Sequence, residues 1–525
     1  MQCWQVRDCP ASHASNVRAR TDARARLHRL FGSDTDTSER RRDETMRKAV
    51  VVGGGLAGLS CAVALSDRGL EVTVLESSER LGGRASSWRD EESGDTVDIG
   101  PHIFHSEYHN MLGFLDRLGT GKLITWQPKK VLTLATKPEP LALRHAPLPA
   151  PFTLMPSILR APGLTAPDYL SLVKTGWRGM RFGEEQVDEL DRVSALDFLR
   201  AQGVSERMID WWWRFAAMVV TNVPLERCST ASLLRIHAQL SGYRGLHFGF
   251  AAVGLGELYT EQAKRVIEEA GGRVLLRAPV RALSAPDGEG RIDGVLLGDG
   301  TRIEADVVVS AVPPQALAPL LASEVRKRCG LAELDWFEPS PYICCYLWFD
   351  RPLGTERFTS HLWSPERLNY DFYDLTRIRQ GWQGRPTVIA SNIIYSHRAE
   401  GLTDDEIVRA TVAELAEFAP EAARARLLHA RVHRVPMAIP CPLVGFEGRR
   451  PPQRCALPGL VLAGDWTRTR MPCTMEGAVK SGSLAAEAVL EQAGQPTALA
   501  VEARMYDDVA GMVRKAAARR PKGVP

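Results

Sequence analysis

The sequence predicts an α/β fold, a Rossmann-like domain assembled from separated segments with a mixed α+β domain inserted between them. Three observations predict it. A strand–glycine turn–helix–strand unit begins at Ala49. A second strand–turn–helix unit lies near the C-terminus, more than 350 residues on. The long stretches between them carry few dinucleotide signals and many large apolar side chains. With 525 residues the chain is long enough for two domains.

The first unit is local and mechanical. Ala49-Val50-Val51-Val52 is a short β-branched run of the kind that forms a buried parallel strand. Gly53-Gly54-Gly55-Leu56-Ala57-Gly58 fits G-x-G-x-x-G, and residues 59–68 read as a helix ended by Gly69. Val72 to Leu75 form the next strand, closed by Glu76. Gly53 permits the tight turn, Gly55 lets backbone N–H groups reach a pyrophosphate, and Gly58 lets the helix pack on the strand. Ala57 lies in the same turn. The helix N-terminus offers free amides to the phosphates, and Glu76 can accept from ribose hydroxyls. Arg80-Leu81-Gly82-Gly83-Arg84 follows directly. Gly83 again allows close backbone approach, and Arg84 can place a forked guanidinium on the pyrophosphate. Next comes Val97-Asp98-Ile99-Gly100-Pro101-His102.

With these motifs the chain resembles the flavin-dependent amine oxidase and carotenoid desaturase superfamily, whose N-terminal signature runs GxGxxG, Glu, GGR and an Asp-x-Gly stretch. The resemblance implies FAD rather than NAD, backbone near the flavin at Gly100, and pairing of the Val280 backbone with the adenine. It also makes the segment from Arg302 to Pro314 the strand that returns to the nucleotide domain. Residues 274–276, 280–283, 292–297 and 307–309 read as strands.

The second unit is Gly459 to Trp466, a strand ending in Gly464-Asp465, then Met475-Glu476-Gly477-Ala478 opening a helix. A carboxylate at a strand end can hold ribityl hydroxyls, and a helix N-terminus near the flavin would stabilise the charge of its reduced form. This pair resembles the C-terminal motif of plant and cyanobacterial phytoene and ζ-carotene desaturases and of bacterial relatives acting on squalene precursors. One flavin needs both units, so the FAD domain is expected to be discontinuous: 46–130, 255–320 and 430–495. A substrate domain follows at 131–254 and 321–429, and a C-terminal helix or tail at 496–525.

The resemblance implies a flavin-dependent desaturase acting on a long polyisoprenoid, with a quinone or oxygen as electron acceptor. Amine oxidation, reductive removal of a hydroxyl from a squalene precursor, and flavin-free binding of prenylated proteins, as in Rab GDP-dissociation inhibitors, are the alternatives. Trp211-Trp212-Trp213 and Phe248-Gly249-Phe250 read either as walls of an apolar tunnel or as ordinary core, and the glycines Gly254 and Gly256 suggest backbone turning close to a ligand. The candidates for chemistry are His102, either near the flavin ring or a plain structural histidine, and Glu476, either a proton acceptor or a structural group at the helix start. His102, His105 and His109 have spacings that could suggest a metal, but they follow the Asp98-Ile99-Gly100 turn that the resemblance places near the flavin, so no metal is expected. Cys473 lies outside the motif in which monoamine oxidases attach flavin, so FAD is expected to be non-covalent. Lys174, Trp177, Arg178, Met180, Arg181 and Phe182 mix bases with aromatics as a membrane-surface helix does, pointing to a cytoplasmic protein peripheral on the membrane.

Composition agrees. A formal net charge of +3 gives no basic balance for nucleic acid. No uninterrupted apolar run approaches a membrane span. Ten cysteines lie without paired CxxC spacing, and Cys344 and Cys345 read as free thiols in a buried strand. Residues 1–45 hold nine arginines and seven acidic residues, and are expected to be a disordered extension ahead of a functional start at Met46.

Overall fold

Why five short β-branched runs assemble into one layer is clear from their burial. Four of them are buried along almost their whole length, which suits a parallel sheet covered on both faces, and the fifth, at the edge, buries only its central valine. In the computed structural model, which describes residues 47–127, 130–285, 291–503 and 506–518, these runs form a parallel sheet. Its order is Arg273–Leu275, Glu71–Leu75, Lys48–Val52, Val307–Ser310, Leu460–Leu462. The proposed extension and the start at Met46 lie outside the described residues. The helices Leu56–Ser66 and Met475–Gln492 pack against each other over this sheet, and the first is buried almost all round. Val51, Leu59, Val72, Val309, Val461 and Val489 are fully buried in the core between the layers.

A second, mixed sheet of seven strands stands beside it. Its order is Leu427–Pro440, Pro339–Phe349, Val388–Ile394, Asp371–Asp374, Phe358–Ser360, Lys130–Leu134, Leu141–Arg144. Neighbours are antiparallel except Phe358–Ser360 with Lys130–Leu134. The α/β architecture with a discontinuous Rossmann-like sheet is therefore the observed one. One stretch differs from the expected division. Residues 430–440 run in the mixed sheet, because Leu427–Pro440 pairs along its length with the apolar strand Pro339–Phe349.

Helices between residues 152 and 241 cover the mixed sheet. Ile209–Trp213 makes a π-helical turn that leads into Arg214–Thr221. Trp211 and Trp213 are buried in the large core beneath these helices and Trp212 packs against it. The tryptophan run is thus core, because one helical turn carries its rings into the layer between helices and sheet. Gly254 and Gly256 admit no ligand either: a Cβ at each would meet Ser87.

Candidate functional site

The first strand ends in a turn that only glycine can make. Gly53 has φ +107°, and a Cβ at Gly58 would stand 1.9 Å from the Gly53 carbonyl oxygen, so strand and helix touch backbone to backbone. The helix Leu56–Ser66 has no side-chain cap, which leaves its first amides free. A Cβ at Gly55 would project into open space with only the Gly82 carbonyl within 4 Å. Glu76 is oriented by the turn itself: its Oε2 accepts from the Gly54 amide at 2.8 Å and its Oε1 from the Ser78 amide at 2.9 Å. An uncapped helix N-terminus, a close backbone approach at Gly55 and a fixed carboxylate at the next strand end fit a dinucleotide.

These residues line a cavity of about 660 Å³. Gly53, Gly55, Ala57, Glu76, Gly83, Arg84, Gly100, His102, Val280, Gly464, Asp465 and Met475 all reach it. Three predicted residues do not. Gly58 is the helix–strand contact just described. Gly477 sits in the first turn of Met475–Gln492, where its amide donates to the Thr474 cap at 3.2 Å and a Cβ would meet the Pro472 carbonyl at 2.5 Å. Glu476 turns away from the cavity. Its carboxylate accepts from the Asn110 amide at 3.0 Å, the Asn110 side chain at 2.6 Å and the Met111 amide at 2.8 Å, closing the N-terminus of helix His109–Arg117. Glu476 is therefore no proton acceptor for a substrate in this cavity; both its oxygens are committed to another helix.

Arg84 and Asp465 meet directly. The guanidinium donates to both carboxylate oxygens, at 2.9 and 3.2 Å, and to the Ala438 carbonyl at 3.1 Å. Burial alone would lower the Arg84 pKa, but the Asp465 carboxylate more than offsets it and holds the pKa above its ordinary value. Asp465 is placed in turn by Arg450, which sequence reading missed. Fully buried, Arg450 donates to the carbonyls of Asp465, Thr467 and Met471 at 2.7–2.8 Å and gathers the loop that leads to the helix.

His102 donates through Nδ1 to the Gly100 carbonyl at 2.8 Å, leaving Nε2 to accept. Burial lowers its pKa, so it is a neutral imidazole at ordinary pH. Of the other two histidines, His105 lines the cavity and His109 lies 3.4 Å from Glu107 at the surface. Cys473 also lines the cavity, and burial raises its thiol pKa. Beyond these residues the walls become apolar: Val219, Ile236, Leu240, Phe248, Met437 and Ile439 enclose the far half. Set among them are Tyr342, Asp371, Tyr373 and Asn392 from the mixed sheet. None of these four was singled out from the sequence as part of the site.

The sequence profile of the flavin containing amine oxidoreductase family matches residues 56–490. The chain belongs to this family. A second profile, pyridine nucleotide-disulphide oxidoreductase, matches residues 14–92, across the glycine turn. The chain is 29% identical over 459 residues to 15-cis-phytoene desaturase of Synechococcus elongatus, covering 84% of this chain and 96% of that one. It is 28% identical over 486 residues to carotenoid phi-ring synthase of Streptomyces griseus, covering 85% and 88%. Among solved structures, putrescine oxidase bound to putrescine shares the fold, with a TM-score of 0.66, 16% identity and coverage of 85% and 99%.

As a member of the family, the protein is an FAD-dependent oxidoreductase. Bound FAD supplies two-electron oxidation by taking up hydride. In this chain the turn at Gly53–Gly55, the fixed Glu76 carboxylate and the Arg84–Asp465 pair line the same cavity as a set of apolar side chains, and these are the residues that would hold the cofactor.

Proposed function

We propose that the protein desaturates a long polyisoprenoid of carotenoid or squalene type by hydride transfer to non-covalently bound FAD. The observation that carries this reading is the far half of the cavity. Its walls of Val219, Ile236, Leu240, Phe248, Met437 and Ile439 are continuous with the dinucleotide cradle and suit a hydrocarbon chain. The likeness to phytoene desaturase and phi-ring synthase over most of the chain supports it. Gly53, Gly55, Ala57, Glu76, Gly83 and Arg84 would hold the nucleotide end, Val280 the adenine, and Gly100, Gly464, Asp465 and Met475 the flavin end. Cys473, kept as a thiol by burial, fits non-covalent attachment. Amine oxidation is the second reading, favoured by the rings of Tyr342 and Tyr373 on one wall of the cavity.

The nucleotide domain of this reading comprises residues 46–130 and 255–320 and a third segment that begins after Pro440. The substrate reaches the chamber from a lipid surface. Helix Ala166–Arg181 exposes Leu170, Val173 and Trp177 to 69%, 67% and 49%, at one-turn spacing, with Lys174 and Arg178 exposed beside them, while Met180 packs against the core and Phe182 is buried in it, so neither belongs to the face. Such a face suits an anionic bilayer surface. Among the described residues no helix is long and apolar enough to cross a membrane.

The test is anaerobic bleaching of the flavin by substrates in vesicles. Bleaching by phytoene or ζ-carotene is the expected result; bleaching by simple amines alone would transfer the protein to the second reading. A quinone and oxygen, added separately to the bleached protein, identify the acceptor by the rate at which the yellow colour returns.

A further inference from the structure

A desaturation needs two destinations. Hydride leaves one carbon with its electron pair, and the neighbouring carbon must lose a proton to a base that lines the same cavity. The titratable groups that line the cavity can be examined in turn. Glu76 is held at the nucleotide end by two amides, and Arg84 and Asp465 bind each other. Burial keeps the Cys473 thiol and the Tyr108, Tyr342 and Tyr373 hydroxyls protonated, so they offer no base at neutral pH. Burial lowers the pKa of His102, and that of His105 to about 3, which makes both weak proton acceptors. Asp371 is the group left.

We propose that Asp371 is the proton acceptor of the oxidation. Its strand, Asp371–Asp374, lends Asp371 and Tyr373 to the cavity lining, and the register sets Asp371 opposite Ser360 on one side and Asn392 on the other. Oδ1 accepts from the Ser360 hydroxyl at 2.6 Å, and Oδ2 makes no hydrogen bond among the described residues. Asn392 accepts the Tyr342 hydroxyl, and Tyr342 in turn lies against Gly100, which lines the same cavity. The groups that face Asp371 are Tyr342 and Cys344 from strand Pro339–Phe349, Tyr373 from its own strand and the preceding Tyr370. Burial keeps all four neutral. Burial raises the Asp371 carboxyl to about 7, with the Ser360 hydrogen bond offsetting part of the rise, so it exchanges a proton near neutrality.

The step balances. The C–H bond that yields hydride sends two electrons to the flavin, which is reduced. The adjacent C–H bond breaks heterolytically, its electron pair becomes the second bond of the new C=C, and the proton makes Asp371 a neutral carboxylic acid. This inference rests on the desaturase reading and names the base that the reading requires.

The test uses the full-length flavin-loaded protein, as wild type, Asp371→Asn and Ser360→Ala, with phytoene or ζ-carotene in vesicles under anaerobic conditions. In the wild type the rate of flavin reduction should rise with pH along one limb centred near about 7. Asp371→Asn should keep its flavin spectrum and substrate affinity, lose the limb, and reduce at least roughly 100-fold more slowly. Ser360→Ala should move the limb to higher pH, since it removes the hydrogen bond that favours the carboxylate. Infrared difference titration gives a readout independent of turnover: a protonated carboxyl band should titrate near about 7 in the wild type and be missing from Asp371→Asn. A wild-type rate and limb in Asp371→Asn would overturn the inference, as would a variant that loses substrate affinity but not rate. Should Asp371→Asn fail to fold, an unmoved limb in Ser360→Ala overturns it. Silence of the wild type with every polyene is a different result: it removes the desaturase reading, and the inference falls with it.

Discussion

Asp371 is 2% exposed and has no cationic partner among the described residues, a setting that disfavours its charged form. The consequence for stability has a definite sign. An unfolded aspartate ionises near about 3.9, whereas the folded carboxyl holds its proton to about 7. Between those values the folded chain binds more protons than the unfolded one, so this residue's contribution to stability falls as pH rises. The slope reaches about 1.4 kcal/mol per pH unit and ends above the folded pKa. Asp371→Asn does not titrate. Its urea-unfolding free energy relative to wild type should therefore improve from pH 5 to pH 8, by a few kcal/mol. A difference independent of pH would show that Asp371 is not a buried acid. The residues of the glycine turn were legible because their jobs are local: Gly53 makes the turn and Gly58 the contact within one unit of chain. Asp371 was not legible. A carboxylate alternating with aromatics, as in Asn369-Tyr370-Asp371-Phe372-Tyr373, reads as the solvent face of a strand. Only the mixed sheet, covered on both faces here, reverses that reading.

Elements were largely readable where one period dominates. The strands at residues 48, 71, 273, 307 and 460 lie within a residue or two of where their β-branched runs predict, and the helix after Thr474 follows its cap. The sequence did not disclose which element completes which. Helix His109–Arg117 begins at Tyr108 without a side-chain cap of its own, and its end is closed by Glu476, 366 residues away. A capping partner that distant leaves no mark on local spacing, which is why Glu476 read as a catalytic candidate. Burial raises its pKa, and the donors at Asn110 and Met111 offset only part of the rise. Glu476→Gln should weaken this junction by about 1–3 kcal/mol, because a neutral amide cannot accept as strongly from all three donors. Urea unfolding should move to lower denaturant, while the flavin spectrum and the pH limb of reduction remain. A changed limb with unchanged stability would return Glu476 to the chemistry.

At the scale of the whole molecule, one ligand site depends on segments that meet only after the chain has folded. Arg84 follows the second strand and Asp465 the last, 381 residues apart, and their paired side chains stand on the same cavity as Gly55 and Glu76. A sheet with such long-range neighbours closes slowly, and a ligand that spans them acts as a brace. FAD binds the folded chain and finds no site in the unfolded one, so it should stabilise by RT ln(1 + [FAD]/Kd), about 2.7 kcal/mol at one hundred times Kd. Protein stripped of flavin should melt several degrees lower, regain its melting temperature as FAD is added, and keep rising with the logarithm of FAD beyond saturation. Non-covalent binding makes the companion prediction that heat or acid releases the yellow colour into the supernatant. Arg84→Ala leaves the nearly buried Asp465 without its partner, so the same FAD titration should be shifted to higher concentration. A melting temperature that ignores added FAD, with colour retained in the precipitate, would mean that the flavin is tethered, and Cys473 would be the first side chain to examine.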